Sequence, residues 1–264
     1  VSTCTSTVTV VDNINPTAVC KNDTVYLDAS GSVSITTANV DGGSSDNCSF
    51  TMAISQSTFG CTDTGVNYVT LSVTDSSGNL STCVASVFVY DTTAPMAMCQ
   101  DITINLNAIG EASIVAADIN NGSTDNCSID SMYASMTDFT CADTGANTVT
   151  LTVVDPSGNT STCTSTVTVV DAMAPSALCQ DIIVYLDATG NVSIDSSDVD
   201  NGSSDNCGIA TMTLSTSSFD CTNVGGNTVT LTVTDVNGNV STCTSTVTVV
   251  DNINPTAVCK NDTV

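Results

Sequence analysis

The cysteines constrain this chain more than any other feature. They stand at positions 4, 20, 48, 61, 83, 99, 127, 141, 163, 179, 207, 221, 243 and 259. Their spacings run 16, 28, 13, 22, then 16, 28, 14, 22 twice over, then 16. One unit of about 80 residues is therefore seen three times, and a repeat of this kind governs how everything else is read. The closest cysteines are 13 positions apart, which rules out the close thiolate pairs of a zinc site. Disulfides formed in an oxidising compartment are the expected use.

A second period lies over the first. Val1–Val25 and Val240–Val264 are the same 25 residues, so the sequence returns to its start after 239 positions. This reads as a window on a longer array, or as repeats joined end to end. DNINP (Asp12–Pro16), DTTAP (Asp91–Pro95), DAMAP (Asp171–Pro175) and DNINP (Asp251–Pro255) occupy matching places. Proline fixes φ and biases its predecessor to extended geometry, so each is a short stiff connector. The expected domains are 17–91, 96–171 and 176–251. Residues 1–12 read as the last strand of a preceding repeat, and residues 256–264 as the first strand of a following one.

Charge narrows the partners. The net charge is -25, with two lysines, no arginine and no histidine. Such a chain has no electrostatic footprint for nucleic acid and is repelled by anionic lipid. It attracts cations, above all Ca²⁺, which prefers carboxylate and carbonyl oxygens. No apolar run is long enough to insert in a membrane.

Val69, Leu71 and Val73 alternate with polar residues, as do Val149, Leu151 and Val153, and Val229, Leu231 and Val233. Period-two alternation predicts half-buried strands. TDSSGN (Thr74–Asn79), VDPSGN (Val154–Asn159) and TDVNGN (Thr234–Asn239) then predict hairpin turns, with Gly78, Gly158 and Gly238 at positive φ. The fold class is all-β: tandem immunoglobulin-like sandwiches, stapled by disulfides and arranged end to end as a rod or filament. The apolar core is thin, with few aromatics in each unit; Phe59, Phe139 and Phe219 recur in register, and disulfides are needed for stability. Four cysteines per unit allow three connectivities. The expected one pairs Cys20–Cys83 and Cys48–Cys61, then Cys99–Cys163 and Cys127–Cys141, then Cys179–Cys243 and Cys207–Cys221. The rival joins Cys83 to Cys99 across the connector.

The motifs P-x-A-x-C, G-[ST]-[ST]-D-N-C and D-x-x-G-N-x-S-T-C recur through the chain. In the first unit Cys20, Asp46, Asn47, Asp75, Gly78, Asn79 and Cys83 carry them. The unit resembles the hyalin-repeat (HYR) family of immunoglobulin-like domains, with Cys48 and Cys61 added. Its four-cysteine, threonine-rich form is similar to the giant cell-surface adhesins of Bacteroidota, among them gliding-motility adhesins. The resemblance implies export by a type IX-like system, attachment at the cell surface and a filament that meets the substratum. It also implies O-glycosylation at D-[ST] followed by a small or aliphatic residue, which marks Thr24, Thr92, Ser131 and Thr263.

The candidate calcium ligands lie in and just before the D-N-C motif. They are Asn39, Asp41 and Asp46, then Asp118, Asn120 and Asp125, then Asp198, Asp200 and Asp205. Carboxylates and amides at alternate positions before a glycine turn resemble the start of a calcium loop, although no glutamate closes it. The competing reading is a turn whose Asp and Asn side chains bond their own backbone. The connector residues Asp12, Asp91, Asp171 and Asp251 are a second candidate. With no histidine and one glutamate, Glu111, no catalytic constellation is legible, and the chain is not expected to be an enzyme. The expected function is the shaft of a surface fibre or adhesin stalk. Its partners are neighbouring repeats of the same chain, with lateral self-association; surface or polysaccharide targets fall to regions outside this window. The alternatives are a self-assembling sheath or filament, and a calcium-dependent module that binds carbohydrate or protein.

Overall fold

The structure is a computed structural model that describes residues 1–260 of the 264. The first repeat runs β1 (Asp23–Tyr26), β2 (Ser32–Ser34), α1 (Thr37–Val40), β3 (Phe50–Ile54), β4 (Thr58–Gly60), β5 (Gly65–Asp75) and β6 (Leu80–Tyr90). The middle repeat follows the same plan: β7 (Ile102–Asn105), β8 (Glu111–Ser113), α2 (Ala116–Ile119), β9 (Ser131–Ala134), β10 (Asp138–Thr140), β11 (Gly145–Val154) and β12 (Thr160–Val170). So does the third: β13 (Ile182–Tyr185), β14 (Asn191–Ser193), α3 (Ser196–Val199), β15 (Ile209–Leu214), β16 (Ser218–Asp220), β17 (Gly225–Asp235) and β18 (Val240–Val250).

The long hairpin organises each repeat. β5 and β6 pair antiparallel from Gly65↔Val89 to Thr74↔Leu80, around a turn that places Gly78 at φ 92°. β1 joins β6 in parallel and β3 joins β5 antiparallel, giving the order β1-β6-β5-β3. The corresponding orders are β7-β12-β11-β9 and β13-β18-β17-β15. A two-stranded ladder, β2 with β4, supplies the second layer. Val69, Leu71 and Val73 from β5 and Val87 and Val89 from β6 are buried against Ile35 and Phe59 from the other layer. Each such side chain contributes roughly 1.5–3 kcal/mol by leaving water. The third repeat repeats this core with Val229, Leu231, Val233, Val247, Val249, Ile194 and Phe219.

The chain divides into two compact units: residues 1–100, 115–135 and 150–165, and residues 101–114, 136–149 and 166–264. No helix among the described residues is long and apolar enough to cross a membrane.

Residues 1–12 form no strand, and all but Asp12 are exposed. The identical stretch in β18, and the one in β12 that differs at a single residue, are strands, because each lies in a sheet between two neighbours. A strand needs a ladder partner, and residues 1–12 have none among the described residues. Residues 256–260 likewise form no strand, and 261–264 lie outside the described residues.

Five disulfides are formed. Cys20–Cys83, Cys99–Cys163 and Cys179–Cys243 each tie the segment before a repeat's first strand to its last strand. The inner cysteines correct the expected pairing. Cys48–Cys61, Cys127–Cys141 and Cys207–Cys221 are not formed. Instead Cys61 bonds Cys127 within the first unit, and Cys141 bonds Cys207 within the second. Each of these joins one repeat to the next. The reason is strand length. Cys48 precedes β3, whose first residue Phe50 faces Asp75 at the hairpin end of β5, whereas Cys61 precedes Gly65 at its opposite end. Eleven residues of strand separate those ends by roughly 33 Å, while a disulfide needs Cα atoms about 4.4–6.8 Å apart. Cys4, Cys48, Cys221 and Cys259 are free and exposed.

Candidate functional site

Three segments meet at the hairpin end of each repeat: the connector aspartate, the D-N-C loop before the third strand, and the D-x-x-G-N hairpin. Hydrogen bonding within the turns fixes all three. Asp75 accepts from the backbone N–H of Ser77 and Asn79 through Oδ1, and from the Asn79 side chain through Oδ2. Burial pushes the Asp75 carboxyl up, but these donors outweigh it and hold the group below its ordinary value. Asp235 behaves in the same way with Asn237 and Asn239. The asparagine then reaches outward. Asn79 Nδ2 donates to the Asp12 carbonyl at 3.0 Å, and Asn159 and Asn239 donate to those of Asp91 and Asp171 at 3.1 Å.

The connector aspartates complete the arrangement. In the first unit Asp91 Oδ1 accepts from the N–H of Thr93 and from the side chain of Asn126. Asp125 Oδ2 accepts from the N–H of Cys127 and Ser128. Asn126 Nδ2 also donates to the carbonyl of Asp28 in the first repeat at 3.1 Å. In the second unit Asp171, Asp205 and Asn206 reproduce these bonds, with Met173, Cys207, Gly208 and Asn107 as partners. Ligand atoms of Asp91, Asp125 and Cys127 lie within 4.8 Å of one another, as do those of Asp171, Asp205 and Asp235, and those of Asp12, Asp46 and Cys48. Asp91 and Asp171 are each 6% exposed.

The disulfide between repeats sits beside this cluster. Cys61 Sγ lies 3.7 Å from the Asn126 carbonyl oxygen, and Cys141 Sγ lies 3.5 Å from that of Asn206. The approach is close enough to require glycine opposite: a Cβ on Gly110 would stand 2.6 Å from Cys141 Sγ and 2.9 Å from the Asn206 oxygen.

The expected calcium triplets are not brought together. Asn39, Asp118 and Asp198 accept from the backbone N–H groups of Thr36, Val115 and Asp195 and so cap the short helices. Asp41, Asn120 and Asp200 close their own turns onto Ser44, Ser123 and Ser203. The Ser44 and Ser203 hydroxyls hold the Asp41 and Asp200 carboxyls below their ordinary value. Only the third member of each set, Asp46, Asp125 or Asp205, enters a cluster, and it does so with a connector aspartate. Asp251 is exposed and bonds the N–H of Ile253. The sequence carried one signal for this grouping: the connector Asp, the D-N-C loop and the D-x-x-G-N turn recur at fixed distances from one another.

Of the expected glycan acceptors, Thr24 and Thr92 are exposed and Ser131 is half-buried. Thr263 lies outside the described residues.

No family model matches the chain, and no curated protein matches it in sequence. Solved structures do match. The protocadherin gamma B7 extracellular cadherin domains 1-4 match at TM-score 0.32 and 16% identity, over 73% of this chain and 59% of that chain. A three-domain immunoglobulin structure from titin matches at TM-score 0.37 and 9% identity, over 89% and 98%. Mouse cadherin-23 EC22-24 matches at TM-score 0.34 and 12% identity, over 90% and 99%. At these scores the likenesses assign the chain neither a family nor a ligand.

Proposed function

We propose that this chain is a load-bearing repeat region of a long extracellular surface fibre or adhesin stalk. The interlocking of its disulfide loops carries the reading. Cys61 lies inside the loop closed by Cys20–Cys83, and its partner Cys127 lies inside the loop closed by Cys99–Cys163. Consecutive repeats are thus joined twice, once by the connector and once through sulfur. The loops closed by Cys20–Cys83 and Cys99–Cys163 carry tension past each folded repeat, and the second link keeps consecutive repeats joined if the connector gives way. Five disulfides support an oxidising setting, as outside the cell. The resemblance to Bacteroidota adhesins extends the reading to a gliding-motility filament exported by a type IX-like system, with Thr24 and Thr92 as accessible O-glycan acceptors. The free Cys48 and Cys221 occupy the positions that are bonded between repeats elsewhere, so neighbouring repeats are their natural partners.

The test is mechanical. The chain is held by its two ends and stretched, oxidised and then reduced. In the oxidised chain the 16 residues between the last bonded cysteine of one repeat's own loop and the first of the next, as from Cys83 to Cys99, set the extension, about 55 Å per repeat. After reduction a whole repeat of about 80 residues extends, roughly 280 Å. Equal extension in the two states would remove the load-bearing role.

A further inference from the structure

We propose that each of the two clusters built on Asp91, Asp125 and Asn126 and on Asp171, Asp205 and Asn206 binds one divalent cation of the calcium class. The case rests on oxygens that the fold leaves over. At the first cluster Asp91 Oδ2, Asp125 Oδ1 and Asn126 Oδ1 are buried, and no donor among the described residues reaches them. At the second the same three atoms, Asp171 Oδ2, Asp205 Oδ1 and Asn206 Oδ1, are in the same condition. Each carboxylate spends one oxygen on its own turn and keeps the other buried without a donor. The asparagine spends its amide nitrogen on two neighbouring oxygens, which leaves its own oxygen free.

A self-satisfied turn network does not end this way. Unpaired buried acceptors are destabilising by about 1–3 kcal/mol each, more when charged. Two carboxylates converging in a site where the connector aspartate is 6% exposed also repel. A water molecule supplies donors but does not neutralise that repulsion, whereas a divalent cation does both. The donors are all oxygen, and Cys127 and Cys207 are held in disulfides, so the set suits a hard cation rather than zinc. Two oxygens on opposite sides of a calcium ion, each about 2.4 Å away, stand about 4.8 Å apart. One carboxylate oxygen each of Asp91 and Asp125 lies within that span, as does one each of Asp171 and Asp205. Three protein donors leave the rest of the shell to water, which fits the weak affinities of extracellular modules, about 10⁻⁴–10⁻³ M.

The third cluster differs. Asp12 turns Oδ2 to the side chain of Asn47, Cys48 is a free thiol, and only Asp46 Oδ1 is left over. It is therefore expected to bind the cation more weakly.

The proposal holds or fails independently of the load-bearing reading, because its readout is cation binding. The oxidised chain is titrated with calcium chloride and, separately, magnesium chloride by calorimetry, with melting temperature followed in parallel. Expected are two equivalent calcium sites, a raised melting temperature, and at least tenfold weaker binding of magnesium. Asp91→Asn and Asp171→Asn each remove one site, and the double variant removes both. A thiol count of four in each variant, equal to that of the parent, shows that its disulfides have formed. Asn126→Ala, which keeps both carboxylates, weakens one site several-fold without abolishing it. No heat and no melting shift at about 10 mM calcium would overturn the proposal. Calcium binding that the double variant leaves unchanged would overturn it too, by assigning the ions to the acidic surface at large.

Discussion

The side chain of Asn159 donates to the backbone carbonyl of Asp91, 68 positions earlier in the chain. The same amide also bonds the Thr93 carbonyl at 3.4 Å and Asp155 Oδ2 at 2.7 Å. One hairpin residue therefore holds the connector against its repeat. Asn159→Ala removes all three bonds and leaves a buried carboxylate short of a donor. A loss of about 1–3 kcal/mol is expected, read as a lower urea midpoint. An unchanged midpoint would mean that the connector is held without this side chain, through the bond from Asn126 to Asp91.

Sulfur pairing is checked directly. Digestion without reduction is expected to yield peptides joining Cys61 to Cys127 and Cys141 to Cys207. Recovery of Cys48 joined to Cys61 would contradict the structure. The Cys61→Ser, Cys127→Ser double variant opens a loop of 66-residue separation, for which chain entropy gives up to about 4 kcal/mol.

Two glycines of the same backbone type separate strain from contact. Gly110 and Gly158 have φ of 76° and 87°. Only Gly110 has a sulfur and a carbonyl where a Cβ would go, and Gly158 has nothing within 4 Å. Gly158→Ala is expected to lower stability by roughly 1 kcal/mol with four free thiols retained. Gly110→Ala is expected to lower stability further and to raise the thiol count by two, as Cys141 and Cys207 fail to pair.

Acid should loosen the turns. Hydroxyl donors lower the carboxyl of Asp28 through Ser30, of Asp41 through Ser44, of Asp187 through Thr189 and of Asp200 through Ser203. A carboxyl lowered by folding adds stability that is complete above its unfolded value, about 3.9, and is lost as pH falls through the folded value. Melting temperature should hold from pH 7 to about 5 and fall below about 4. Protonation also relieves the self-repulsion of a net charge of -25, so the fall should be steeper in about 1 M salt, where that repulsion is already screened. A melting temperature that rises on acidification in high salt would contradict the assignment.

Much of this was legible from the residues. The alternation through Val69, Leu71 and Val73 gave the long strands, and Gly78 marked their turn, because period and turn chemistry are local properties. The pairing of Cys61 was not legible. Its spacing of 13 from Cys48 suggests proximity, yet proximity depends on which end of β5 each residue adjoins. That is a property of strand pairing. The calcium triplets failed for a related reason. Asp198 and Asp200 are close in sequence, but helix capping and a turn use each of them locally. Asp205 instead meets Asp171, 34 positions away, through the fold.

The five disulfide loops overlap without a gap, from Cys20 to Cys243. A protease that cuts the backbone once anywhere in that span therefore releases nothing, since at least one sulfur bridge always straddles the cut. In the stretches between Cys61 and Cys83, Cys99 and Cys127, Cys141 and Cys163, and Cys179 and Cys207, two bridges do. For a molecule exposed to its surroundings, damage becomes a matter of several hits in one loop rather than one, and a nicked chain stays whole.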